Sequence, residues 1–222
     1  NLQSHVGAVR KGRSMEKPRQ KTRLWLAVPI FLLVVGAVVG IGRHTVNADW
    51  RTASREPLGI APDPAIYRQA AVQIYVARAY SWRGFFGVHS LIAVKPTDGV
   101  NYTVYEVSGW LAHHGRSPLV IHQAAPDRRW FGAEPRVIAD LRGDSVDDII
   151  KHIDAVARKY PHVDDYALWP GPNSNTFTAY VARAVPELRV DLPPTAIGKD
   201  YLPGGALVAG TPSGTGYQVS LF

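Results

Sequence analysis

The chain has 222 residues, 46% of them hydrophobic and 19% charged, with a formal net charge of +7 and no cysteine. That composition is globular and long enough for one core of ordinary size, and the lack of cysteine excludes a disulfide framework, thiol catalysis and cysteine–zinc sites. The positive charge excludes nucleic-acid binding once it is located: residues 1–23 set Arg10, Lys11, Arg13, Lys17, Arg19, Lys21 and Arg23 against Glu16 alone (+6), whereas residues 24–222 carry 18 basic and 17 acidic groups (+1), so the globular part has no basic face for phosphates.

The basic segment 1–23 stands directly before LWLAVPIFLLVVGAVVGIG, residues 24–42, nineteen residues without a charge, amide or hydroxyl. At about 1.5 Å rise per residue they span a hydrocarbon core of roughly 30 Å. Trp25 sits at the interface level, and the Lys and Arg side chains before the span place the N-terminus in the cytoplasm. The reading is a single-pass bacterial inner-membrane protein whose domain lies in the periplasm. A cleavable signal segment ending at Val46-Asn47-Ala48 is the alternative; the length of the apolar run favours the retained anchor. Met15 is a natural start, so residues 1–14 are left outside the fold reading.

Residues 43–64 are turn-rich and read as a linker, and 65–222 as one globular domain. AVQIYVARAY (71–80) is β-rich, broken by Gly84 and Gly87, although a helical entry from Pro64 is also open. VHSLIAVKP (88–96) and VNYTVYEVSGW (100–110) flank the turn Pro96-Thr97-Asp98-Gly99 and make a hairpin. SPLVIHQA (117–124) is a third strand. From Pro135 the period changes: RVIADL is expected as a short helical turn. SVDDIIKHIDAVARKY (145–160) is an amphipathic helix with Ile149, Ile150, Ile153, Val156 and Ala157 on one face, and Ser145 with Asp148 is a capping-box variant. A second helix covers 175–185, stopped by Pro186. The tail is rich in Pro and Gly and ends on the strand-like YQVSLF, from which the chain is expected to continue past Phe222. The fold class is α+β: one antiparallel sheet with helices on one side, preceded by a transmembrane helix.

Three separated residues supply a nucleophilic constellation. His89 opens one strand of the hairpin and Glu106 lies in the other, seven positions before and after the turn, which puts them near each other on one face. A carboxylate beside a histidine fixes its tautomer. Ser174, in WPGPNSNTFTAYVARAVPEL (169–188), arrives at a helix N-terminus, where the positive end of the dipole favours a developing alkoxide or oxyanion. Asn173 and Asn175 would assist at the oxyanion, and Trp169 and Trp110 would line the groove. The competing reading makes Ser174 or Asn173 a plain N-cap, His89 a structural residue and Glu106 a solvent-facing one. His113, His114 and His122 are weak metal candidates, because adjacent histidines on a strand point apart; no metal or cofactor is expected.

The runs VQIYVARAYSWRGFFGVHSLIAVK, YTVYEVSGW, WPGPNSNTFTAYVARAVPEL and LPPTAIGKDYL resemble the uncharacterised bacterial family DUF3750 from about residue 49 onward. More distantly, the order His-strand, Glu-strand, then N-x-N-x-F at a helix start is similar to the circularly permuted papain-like hydrolases, including the permuted NlpC/P60, PPPDE and LRAT-like groups. That resemblance implies Ser174 in the place of their cysteine nucleophile, His89 as the base and Glu106 as the polar third residue. Serine is far less acidic than cysteine, so Ser174 requires a true general base. The expectation is a membrane-anchored Ser-His-Glu hydrolase or acyltransferase acting on an amide or ester of cell-wall peptide or lipid. The alternatives are an inactive ligand-binding module of the same fold and a partner-binding subunit.

Overall fold

A computed structural model describes residues 29–33 and 49–220. The chain divides into two compact units, residues 1–41 and 42–222. The expected span 24–42 lies outside the described residues apart from 29–33, which are helical. Among the described residues no helix is long and apolar enough to cross a membrane.

The larger unit is built on β1 (Ala71–Arg78), β2 (Val88–Lys95), β3 (Thr103–Val107), β4 (Leu119–Gln123) and β5 (Arg136–Arg142), in the spatial order β4-β3-β2-β1-β5 with every pair antiparallel. A short helix, α1 (Gly109–His113), links β3 to β4. Two longer ones, α2 (Val146–Ala157) and α3 (Ser174–Ala184), follow the sheet, and a separate hairpin of β6 (Val208–Gly210) and β7 (Tyr217–Val219) ends the described chain. The architecture is α+β.

Both faces of the sheet are covered, which is why β1 reads as a nearly continuous apolar run rather than an alternating one. On one face Val72, Ile74, Ile92, Val94, Tyr105 and Val107 pack against Ile153 and Ala157 of α2 and Phe177, Val181 and Ala182 of α3. Each fully buried aliphatic or aromatic side chain there contributes about 1.5–3 kcal/mol. On the other face Tyr75, Leu91, Ala93 and Val104 meet Ala61, Tyr67, Ala124 and Val137. The cover on this second face is irregular chain. Residues 49–64, expected as a linker, are hydrogen-bonded onto it: Asp127 Oδ2 accepts from the N–H groups of Ile60 and Ala61, Arg129 N donates to Glu56 O, and Tyr102 Oη donates to Pro62 O.

Two sequence expectations are corrected. RVIADL is not a helical turn but the body of β5. A register shift against Ile74 and Tyr75 interrupts its pairing with β1, so Val137 joins the second-face cluster while Ile138, Ala139 and Leu141 face the helices. An irregularity of this kind breaks the two-residue alternation and leaves an apolar spacing that imitates a helix. The capping box expected at Ser145 is absent: Ser145 makes no side-chain cap. The first-turn carboxylate Asp147 instead accepts from Thr97 N and Thr97 Oγ1, tying α2 to the β2–β3 turn.

Candidate functional site

The start of α3 is decided by its first residues. Asn173 is the N-cap: its Oδ1 accepts from the N–H of Asn175 at 2.9 Å and of Thr176 at 3.3 Å, and Thr176 Oγ1 accepts from Asn173 N at 3.1 Å. This reciprocal capping box takes the role that Ser174 would otherwise have filled. Asn173 O takes the N–H of Phe177. The N–H of Ser174 is then the helix-start donor with no capping partner among the described residues.

The helix is locked onto β2 by a buried polar knot. Ser90 Oγ lies 2.9 Å from Asn175 Oδ1, 2.9 Å from Thr178 Oγ1 and 3.2 Å from Ser174 O. Asn175 Nδ2 donates to Val88 O and Ile197 O, both at 2.9 Å, and Thr176 Oγ1 donates to Gly198 O at 2.7 Å. Both amide hydrogens of Asn175 are therefore committed to structure, and it acts as a clamp between β2, α3 and the loop around Ile197. The AIGKDY motif is the third wall of that clamp. Gly198 has φ +93° and lies so close to Asn173 that a Cβ would fall 2.4 Å from its Nδ2, so only glycine fits.

His89 and Ser90 are successive residues of a strand and so point to opposite faces. Ser90 goes to the helix; His89 goes to the second face, where Glu106 also lies. The hairpin register pairs Leu91 with Glu106, two residues from the register inferred from the turn. His89 is therefore a diagonal neighbour of Glu106 rather than a direct one. The next strand repeats the arrangement: His122 is paired with Val104 and is diagonal to Glu106 from the other side.

Glu106 is buried between them. Its Oε1 accepts from His122 Nε2 at 3.0 Å and from Arg128 Nη2 at 2.5 Å, and its Oε2 faces His89 Nε2 at 3.5 Å. That last pair lacks hydrogen-bond alignment, and neither atom has another hydrogen-bond partner among the described residues. Burial by itself would push the Glu106 carboxyl up, but the His122 and His89 imidazoles and the Arg128 guanidinium outweigh it and hold the group well below the usual carboxylate range. Glu106 is thus a fixed anion at neutral pH. The His89 ring is stacked on Trp130, with centroids 3.6 Å apart and planes 7° from parallel. The stack fixes the plane of the ring, and Nε2 is the nitrogen nearer Glu106.

His89 stands second in β2, at the end of the sheet, and there a cavity of about 690 Å³ takes lining residues from both faces. His89, Ser174, Asn173 and Asn175 line it, with Trp110, Trp130 and Trp169 among its aromatic walls; Glu106 sits behind the imidazole and does not line it. The structure brings His89 and Glu106 together and puts Ser174 on the same cavity. Among the described residues no hydrogen bond joins Ser174 Oγ to His89.

Sequence reasoning missed His122 and Arg128 as partners of Glu106, and Trp130 as the floor under His89. The signal for His122 was its position in the third strand, readable only once the β3–β4 register is known. Arg128 and Trp130 lie in irregular chain and left no periodic signal. Of the other two histidines weighed as metal candidates, His113 lines the cavity and His114 Nδ1 is bound to Trp110 O at 2.7 Å. Among the described residues no cluster of three or more His, Cys, Asp or Glu side chains could hold a metal.

A family model described as "Protein of unknown function (DUF3750)" matches residues 69–201, which include every residue of the cluster and the cap. No curated protein and no solved structure matches the chain.

Proposed function

The chain belongs to the DUF3750 family of proteins of unknown function, and for it we propose a serine hydrolase or acyltransferase acting on an amide or ester. Ser174 Oγ attacks the carbonyl carbon as its proton passes to His89. The Ser174 N–H, at the positive end of the α3 dipole, receives the oxyanion. His89 then returns the proton to the departing amine or alcohol, and water or a second acceptor releases the acyl group from Ser174. Glu106 keeps the imidazole in one tautomer and stabilises the imidazolium. The strand–strand–helix order of His89, Glu106 and Ser174 agrees with a permuted papain-like arrangement. We place the domain in the periplasm, tethered by residues 24–42, with cell-wall peptides or lipids as the substrates that compartment offers; the mass of the mature protein distinguishes the tether from a cleaved signal.

The observation that carries this reading is the division of labour around His89. Nε2 is the nitrogen nearer the buried anion Glu106, which leaves Nδ1 to take the proton, and His89 lines the same cavity as Ser174. Catalytic hydrogen bonds are commonly long before substrate is bound. The test is labelling of the full chain with a fluorophosphonate, read by mass. Labelling should map to Ser174, vanish in Ser174→Ala and fall steeply in His89→Ala and Glu106→Gln. A label that persists in Ser174→Ala would remove Ser174 as the nucleophile.

The unmade Ser174–His89 hydrogen bond and the aromatic walls favour a second reading, a binding module that keeps the cavity without the chemistry. It predicts no labelling of the folded protein, together with quenching of the cavity tryptophans by an apolar amide or ester.

A further inference from the structure

The rim of the cavity carries more exposed aromatic surface than the proposed reaction needs. Trp82, Phe86, Trp110 and Trp169 all line it and are 56%, 66%, 57% and 66% exposed. Large aromatic side chains are ordinarily mostly buried, and several of them exposed around one opening mark an interaction surface. Cations stand on the rings of this region: Arg51 lies 4.6 Å over Trp50, Arg55 4.5 Å over Phe131 and Arg83 5.8 Å over Trp82. No Asp or Glu lines the cavity among the described residues.

These features together decide the partner. A protein interface typically has an apolar centre and a polar rim; here large aromatic side chains stand exposed on the rim itself, with the Arg83 guanidinium among them. Indole rings are at home at the headgroup level of a bilayer, and neighbouring guanidinium groups meet lipid phosphates without an opposing carboxylate. Connectivity points the same way. Trp50 lines the cavity and stands eight residues after Gly42, the last residue of the apolar run. From the proposed function this inference takes only the tether through residues 24–42, which ends eight residues before that tryptophan. The described part of the run, residues 29–33, is helical and leaves Ile30, Phe31, Leu32 and Leu33 exposed.

We propose that the aromatic rim formed by Trp82, Phe86, Trp110 and Trp169 is a membrane-docking surface that seats the cavity mouth in the headgroup layer of an anionic phospholipid bilayer. The inference goes beyond the proposed reaction and does not require it.

The absence of cysteine makes the test direct. Phe86→Cys and Trp82→Cys, both at exposed positions, and Val100→Cys, 72% exposed and next to the turn at the far end of β2, are each labelled with an environment-sensitive fluorophore. The full chain is reconstituted into vesicles of phosphatidylethanolamine and phosphatidylglycerol, with and without a spin-labelled lipid. Docking predicts a blue shift and several-fold stronger lipid quenching at positions 86 and 82 than at 100, weakened when phosphatidylglycerol is replaced by a zwitterionic lipid. Adding Ser174→Ala should leave both signals unchanged, so loss of chemistry and loss of docking are read separately. Equal, water-like signals at all three positions would overturn the proposal. So would a shift at 86 and 82 that appears only on adding cell-wall fragments.

Discussion

Arg128 Nη2 rests 2.5 Å from Glu106 Oε1, on the carboxylate oxygen opposite the one that faces His89. The two residues are 22 apart in sequence, one in β3 and the other in irregular chain that bridges back to Pro57. Their pairing holds the carboxylate in orientation and brings the segment carrying Trp130 under the histidine ring.

Arg128→Leu removes one partner of a buried anion. Such a break is more damaging than loss of the whole pair, because it leaves a charge uncompensated. His122 still holds the same oxygen, so the expected cost is about 2–4 kcal/mol in urea unfolding. In the Arg128→Leu background, Glu106→Gln should cost less than it does alone. Additive effects would mean the pair is uncoupled.

Alongside those of Asp147 and Asp154, the depressed titration of Glu106 makes stability fall in acid. Unfolded, the group binds its proton near pH 4.3; folded, it stays ionised well below that. Its contribution is therefore complete above about pH 4.3 and is lost as the pH falls from there toward the folded value. Wild type should lose more stability than Glu106→Gln between pH 5 and pH 3 in denaturant titrations. Parallel losses would contradict the assignment.

The N-terminus of α3 depends on a cap and on the glycine packed against it. Asn173→Ala removes the acceptor for two N–H groups and should cost about 1 kcal/mol, within a range of roughly 0.5–2. Gly198→Ala drives a methyl group into the Asn173 amide from a backbone φ of +93°, and should cost roughly 1–3 kcal/mol. Thermal unfolding of the two variants checks the order, with Gly198→Ala the less stable.

Ser90 joins the sheet to α3, the helix that begins at Ser174. Ser90→Ala leaves Asn175 Oδ1 and Thr178 Oγ1 without that partner and should cost about 1–3 kcal/mol. Because Ser90 also holds Ser174 O, fluorophosphonate labelling should slow in this variant even where the protein is fully folded. Unchanged labelling at full folding would show that the helix start is positioned without it.

Much of this fold was legible in local pattern. The hairpin around Pro96–Gly99, the strand at 117–124, the amphipathic stripe of α2 and the cap before α3 each depend on residues close in sequence, through alternation, turn chemistry and side-chain capping. β5 was misread because a register shift disrupts alternation, and such a shift is a property of the pair of strands rather than of either alone. The capping box expected between Ser145 and Asp148 did not form: Asp148 pairs with Lys151 one turn on, and the tie that fixes this helix start comes from its neighbour Asp147 across the fold to Thr97, a contact local reasoning does not weigh.

The sequence by itself determined that His89 and Glu106 share a sheet face, since strand parity follows from counting residues across one short turn. It also placed Ser174 at a helix start, where a Pro/Gly-broken loop runs into an apolar helical pattern; that Asn173 rather than Ser174 is the cap, with Thr176 reciprocating, came from the structure. Only the tertiary structure decided the rest: the two-residue offset that makes His89 and Glu106 diagonal neighbours, the arrival of His122 and Arg128 on the far oxygen, and the opening at the sheet end that gives His89 and Ser174 a common cavity. Those relations join segments tens of residues apart. Their geometry is set by how two covered sheet faces close, and no repeating pattern along the chain records it.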